Sequence, residues 1–103
     1  MQIGRVIGTV VSTAKEPALD GRKFLIVQFL DMEAADTASY VVAVDAVGTG
    51  VGEVVLVATG SSARQTEATQ NRPCDAVIMA IVDSWDIHGD VKWRKADEPS
   101  GGA

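Results

Sequence analysis

Few residues of this 103-residue chain could do chemistry. Asp83, Asp86, His88 and Asp90 offer oxygen and nitrogen donors at every second or third position, and Asp86, His88 and Asp90 would share one face if a strand ran through them. They fall where the apolar pattern stops, and no partner that would orient the histidine can be named. A solvated strand end is therefore expected, and no metal is assigned. Ser61 and Ser62 could serve as nucleophiles, but His88 is the sole histidine and neither serine lies in a nucleophile elbow. Gly48-x-Gly50-x-Gly52 spaces its glycines partly like a dinucleotide fingerprint. The third glycine of G-x-G-x-x-G would fall on Glu53, however, and a strand rather than a helix follows. A helix beginning at Ser62 could hold an anion at its amino end, as any capped helix could. No base, nucleophile and stabiliser come together, so no catalytic residue and no cofactor is assigned.

The elements that must position these residues are short and regularly punctuated. Apolar segments run over Ile3 to Val11, Phe24 to Leu30, Tyr40 to Val44, Val54 to Ala58 and Ala76 to Val82, which predicts five strands. Gly4 and Gly8 weaken the first as a flat strand and suit the bends by which a small sheet curls into a barrel. The segment Ser12 to Lys23, with Pro17 and Asp20-Gly21, and the acidic segment Asp31 to Ser39 are expected as surface connections. Ser62-Ala63-Arg64-Gln65 fits an S-x-x-Q capping box, predicting a short helix toward Thr69 that ends before Pro73. One barrel domain over 1–88 is expected, followed by a polar tail over 89–103 whose last residues are disordered.

Composition narrows the function. Hydrophobic residues make up 47% of the chain and aromatic ones only 5%, so the apolar content suits strands rather than stacking platforms. A net charge of -5 repels a phosphate backbone, and no nucleic acid is expected as a partner. No apolar run approaches the roughly 20 residues that span a bilayer and no apolar leader opens the chain, so a cytosolic protein with no membrane partner is expected. Cys74 is the single cysteine, which excludes an intrachain disulfide.

The strands do not alternate. Phe24 to Leu30 is apolar on both faces apart from Gln28, and Val54 to Ala58 and Ala76 to Val82 are apolar throughout. A sheet with two apolar faces needs two covers, and a single short helix cannot supply both. Other copies of the chain are the expected cover, at roughly 25 cal/mol per Å² of apolar surface removed from water.

Several motifs, in order, add to this. They are Gly4-x-Val6 and Gly8-x-Val10; Thr13-x-Lys15 with Leu19-x-Gly21-x-Lys23-Phe24-Leu25; Val44-Asp45-x-Val47-Gly48-x-Gly50-x-Gly52-Glu53; Gly60-Ser61-Ser62-Ala63-Arg64; and Asp75 leading into Ile81-Val82-Asp83. With these the chain resembles the EutN/CcmL family of pentameric vertex proteins of bacterial microcompartment shells, over Met1 to Asp83. The resemblance implies a mainly β protein, a five-stranded OB-like barrel with one short helix, whose copies close a homopentameric ring. It also implies hexameric shell proteins as partners and a location in the shell of a microcompartment in the bacterial cytoplasm. Flat hexagonal layers cannot close on themselves, so each corner needs a pentagonal unit, which one heterologous patch repeated five times supplies. On this reading Asp45, Gly48, Gly50, Gly52, Glu53, Gly60, Ser61, Ser62 and Arg64 are expected at the subunit interface or pore, with Asp45 or Glu53 of a neighbour as partner for Arg64. A bond within the chain or a solvated Arg64 is the alternative. Family members often carry a small residue where Met79-Ala80 stands, and Trp85, His88 and Trp93 match no family motif. Trp93 is expected to anchor the tail against the barrel or a neighbour. The competing function is an OB-type module for nucleic acid or a small ligand, which would use a basic groove with exposed aromatics that this chain lacks.

Overall fold

The computed structural model describes residues 1–13, 17, 21–60 and 75–99. Five strands close a barrel: β1 (Gln2–Val10), β2 (Phe24–Leu30), β3 (Asp36–Asp45), β4 (Val54–Thr59) and β5 (Ala76–Ile81), in the order β1-β2-β3-β5-β4 with β4 returning to β1. All pairings are antiparallel except β3 with β5, which is parallel and only two residue pairs long, Val44↔Val77 and Asp45↔Ile78. That is the Greek-key closure of an OB-like barrel.

Side chains alternate between the lumen and the outside. Val6, Leu25, Val27, Ala43, Val55, Val57, Ala76 and Ile78 form the inner core, each at most 2% exposed, with Phe29 and Val41 packed against it. The large share of β-branched residues suits this, because they pack tightly on a pleated surface. Gly4 faces inward opposite Phe29, and a Cβ there would run into the Val27 side chain and lie 2.9 Å from the Gln28 carbonyl oxygen. Glycine at this position lets β1 and β2 approach across a narrow lumen.

Curvature comes from register breaks, which bend a strand and increase its twist. One lies at Ile7, between Val6↔Val27 and Gly8↔Ile26; another leaves Met79 as the extra residue of β5 opposite Leu56 and Val57. Met79 turns outward there and packs on a second cluster of Val44, Ala58 and Val77, with Phe24 and Ala46. The outward surface where β3, β4 and β5 meet is thus covered within one chain, more than the strand pattern led one to expect.

Two features depart from the sequence-based expectation. Strand β3 begins at Asp36 rather than Tyr40, because Thr37 Oγ1 donates to the Phe29 carbonyl at 2.8 Å and Gln28 Nε2 donates to the Thr37 carbonyl at 3.0 Å. These bonds give a polar stretch the anchorage that apolar side chains would otherwise supply. Beyond the barrel, β6 (Ser84–Ile87) and β7 (Asp90–Arg94) form a hairpin, followed by a 3-10 turn over Lys95–Asp97. The charged segment after Gly89 is therefore paired strand through Arg94, and the expected domain boundary falls at the hairpin tip. A hairpin alone is marginal in water, so its ties to the barrel matter. The helix expected from Ser62 and the residue Cys74 lie outside the described residues.

Candidate functional site

The loop from Asp45 to Glu53 joins β3 to β4 across one mouth of the barrel and is organised by one side chain. Asp45 Oδ1 accepts from the Val47 amide at 3.0 Å, the Gly48 amide at 3.1 Å and Thr49 Oγ1 at 3.1 Å, while Oδ2 accepts from the Thr49 amide at 2.7 Å. The Asp45 side chain is 3% exposed, and Lys23 Nζ stands 4.0 Å away while donating to the Thr49 carbonyl at 2.8 Å. A short carboxylate reaching forward along its own backbone favours such a turn, and hydrogen bonds to a charged acceptor are about twice as strong as neutral ones. Thr49, 1% exposed, is buried beneath this turn.

The loop needs glycine at particular places. Gly48 and Gly52 have φ of +80° and +97°, a region that costs a side-chain-bearing residue energy. Gly52 donates its amide to the Val6 carbonyl at 2.8 Å, and the Val6 amide returns to the Glu53 carbonyl at 2.9 Å, which sews the loop to the edge that β1 exposes past its pairing with β4. Gly50 differs: it is exposed, its φ is not positive, and a Cβ would meet only Glu53 Oε1, at 3.9 Å. Among the described residues nothing requires glycine there.

Glu53 is also occupied. Its Oε2 accepts from Lys95 Nζ at 2.9 Å and its Oε1 from the Gly50 amide at 3.4 Å, and the bond from Lys95 chiefly holds its carboxyl below the ordinary value. The two carboxylates expected to attract Arg64 of a neighbour thus each accept hydrogen bonds within their own chain. Gly60 closes β4 and donates to the Asp75 carbonyl at 2.8 Å, whereas Ser61, Ser62 and Arg64 lie outside the described residues. Of the nine expected site residues, the structure brings Asp45, Gly48, Gly50, Gly52 and Glu53 into one loop and sets Gly60 at the end of the strand that follows.

The donor set at the end of the chain takes another form. His88 and Gly89 both have positive φ, 52° and 82°, and form a two-residue turn between the paired Ile87 and Asp90. The run Asp86, His88, Asp90 therefore reverses direction at His88 instead of sharing a strand face. Asp86 Oδ2 accepts from the Gly89 amide at 3.0 Å, and Asp90 Oδ2 from Lys92 Nζ at 2.9 Å.

The sequence reading missed how this hairpin docks. Trp85 and Trp93 stack with ring centroids 5.5 Å apart, Trp85 Nε1 donates to the Met32 carbonyl at 2.9 Å, and Trp93 Nε1 donates to Glu98 Oε1 at 2.9 Å. Arg5 Nη2 on β1 pairs with the same Glu98 oxygen, and its Nη1 donates to the Gly52 carbonyl at 2.9 Å. Glu98, bonded first by Arg5 and second by Trp93, is held below its ordinary value. The signal in the sequence was the pair of tryptophans placed either side of His88-Gly89.

Among the described residues the side chains of this arrangement make positioning bonds. Residues 1–83 match the family described as ethanolamine utilisation protein EutN/carboxysome, designated EutN_CcmL. The chain is 52% identical over 87 residues to the carboxysome shell vertex protein CcmL of Synechococcus elongatus, covering 84% of this chain and 88% of that one. It is 44% identical over 88 residues to the microcompartment shell vertex protein PduN of Salmonella typhimurium, covering 82% and 97%. Among solved structures, Gloeobacter violaceus CcmL superposes with a TM-score of 0.90 at 45% identity, covering 94% of this chain and 100% of that one. The GrpN pentameric microcompartment shell protein of Rhodospirillum rubrum does so at 0.78 and 45% identity, covering 84% and 99%.

Proposed function

The chain belongs to the EutN/CcmL family, and from that premise we propose how it works. It is a non-catalytic shell vertex protein of a bacterial microcompartment and forms pentamers. In our reading the five subunits are copies of this chain, and the ring they close sits where hexamer-forming shell proteins meet at a corner. A heterologous contact repeated with a 72° rotation closes after five copies, and the wedge of each barrel sets that angle. The observation that carries the reading is the match of the whole barrel, residues 1–83, to the family, together with its superposition on a pentameric relative.

The loop from Asp45 to Glu53, with Gly60, Ser61, Ser62 and Arg64, lies at the junction between subunits or around the central opening in this reading. Gly50 supports that role, because among the described residues a Cβ there would make one ordinary contact, with Glu53 Oε1 at 3.9 Å. Gly50→Ile is expected to leave the barrel folded and to impair the ring. A variant that assembles as well as the parent counts against the loop as a contact.

The corner role itself is tested by assembling a hexamer-forming shell protein with and without this chain and imaging the products. Closed polyhedra are expected only in its presence, with open sheets or tubes otherwise. Closed shells formed without it would defeat the proposal.

A further inference from the structure

The family match covers residues 1–83, and the hairpin begins at the next residue, Ser84. What residues 84–98 do is therefore not given by the match. The Lys95 amide donates to the Asp83 carbonyl at 2.7 Å, so the far end of β7 comes back to the point where the chain leaves the barrel. From the turn that follows, two side chains reach toward the loop that joins β3 to β4. Lys95 Nζ donates to Glu53 Oε2 at 2.9 Å, and Glu98 accepts from Arg5, whose other terminal nitrogen donates to the Gly52 carbonyl at 2.9 Å.

We propose that residues 84–98 form a strap that sets the shape of the loop's last residues, 50–53, with Arg5 as the link. The loop divides in two. Its first half is held by Asp45, which accepts from the Val47, Gly48 and Thr49 amides. The polar groups farther along are held from outside the loop: the Gly52 amide by the Val6 carbonyl, the Gly52 carbonyl by Arg5 and the Glu53 carboxylate by Lys95. One of these three ties comes from the tail, and a second comes from a side chain that the tail anchors.

Arginine suits the link because its planar guanidinium carries donors in a fixed fork, so a shift of one acceptor is felt at the other. The Arg5 and Glu98 side chains are only 27% and 30% exposed, which lessens the screening that weakens surface pairs. The same Glu98 oxygen accepts from Trp93 Nε1 at 2.9 Å; Trp93 stacks on Trp85, and Trp85 Nε1 donates to the Met32 carbonyl at 2.9 Å. The docking of the hairpin on the turn after β2 thus reaches Gly52 through a continuous series of contacts. Such a series predicts energetic coupling, which a double-mutant cycle measures. The bearing of the strap on assembly rests on the reading of this loop as a subunit junction.

Amide-resolved hydrogen exchange on the full chain tests the strap, with the Gly48 and Thr49 amides, held by Asp45, as internal references. Glu98 bonds to Arg5 and Trp93 rather than to the loop itself, yet Glu98→Ala should speed exchange at the Gly52 and Glu53 amides by about threefold to fivefold, the effect of losing a partly exposed ion pair. Asp90→Ala removes a partner of Lys92 near the hairpin's tip and should change the same amides by less than about 1.5-fold. In an Arg5→Lys background, which keeps the charge but not the fork, Glu98→Ala should add less than about 1.5-fold. Unchanged exchange at Gly52 and Glu53 in Glu98→Ala overturns the strap, and an effect of equal size with and without Arg5 overturns Arg5 as its link. Native mass spectrometry of Glu98→Ala over a dilution series then separates the two readings. Faster exchange with easier ring dissociation supports both; faster exchange with an unchanged ring supports the strap and counts against the loop as a junction.

Discussion

Removing the Asp45 carboxylate should unlatch the loop it organises, and the size of the effect follows from what its four donors lose. In Asp45→Ala the Val47 and Gly48 amides, which lie at exposed positions, turn to water at little cost. The Thr49 amide and hydroxyl cannot, because Thr49 is 1% exposed. An abandoned buried donor costs about 1–3 kcal/mol, and the hydroxyl can rotate toward another acceptor, so the loss should be about 2–4 kcal/mol. The pairing with half-exposed Lys23 adds at most about 1 kcal/mol. Asp45→Asn keeps the shape but presents an NH₂ group to the one donor at Oδ2, the Thr49 amide, while its oxygen keeps the three donors at Oδ1, and should lose about half as much. The assay is urea unfolding at one fixed protein concentration, since an oligomer's apparent stability depends on concentration. Adding Thr49→Val to Asp45→Ala should recover about 1 kcal/mol by removing a stranded hydroxyl with the acceptor it lost. A loss below about 0.5 kcal/mol for Asp45→Ala, the range of ordinary surface substitutions, would refute this account of the loop.

Other expectations concern the barrel and its hairpin. Gly4→Ala places a methyl group 2.9 Å from the Gln28 carbonyl oxygen and should cost about 1–3 kcal/mol; Gly8→Ala meets Ile26 Cδ1 at 3.6 Å and should be neutral or stabilising by up to about 1 kcal/mol. Equal melting temperatures for the two variants would contradict the narrow lumen at Gly4. Glu98 titrates below its ordinary 4.5 when folded, so its ties to Arg5 and Trp93 contribute stability above pH 4.5 that is lost as pH falls through the folded value. Glu98→Gln should flatten the acid-induced change in tryptophan fluorescence, and superimposable acid curves for parent and variant would exclude Glu98 as the clasp. Trp93→Phe keeps the stacking on Trp85 but removes the donor to Glu98, and should raise the amide hydrogen exchange of β7 more than that of β2; equal protection would show that stacking alone holds the hairpin.

How much of this was legible in the residues depended on the kind of signal. Phe24–Leu30 could be bounded correctly because a continuous apolar run ends in a change of composition on both sides. Asp36–Ser39 could not, because its place in β3 is secured by polar bonds to Phe29 and Gln28, and those depend on which strand lies beside it. The closure of the barrel rests on two residue pairs between β3 and β5, a contact that no periodicity encodes. The hairpin was missed since none of its strand residues is fully buried, so no apolar run marks it, and its turn sets a non-glycine residue, His88, at positive φ.

The site residues divide along the same line. Asp45 followed by Ala46-Val47-Gly48-Thr49 carried a local signal, because an aspartate that binds amides two to four residues ahead is turn chemistry. The loop itself was visible as a glycine-dense bend. Its sewing to Val6 was not, because a free strand edge at that point exists only once β1 has outrun β4.

The claim on which the rest depends is that the chain works as a closed ring of five. Native mass spectrometry of the purified protein near micromolar concentration counts the subunits directly: five chains of 10.8 kDa give a species of about 54 kDa, which the account requires as the dominant peak. A spectrum dominated by a folded 10.8 kDa monomer, or by a closed ring of any other number, would contradict it.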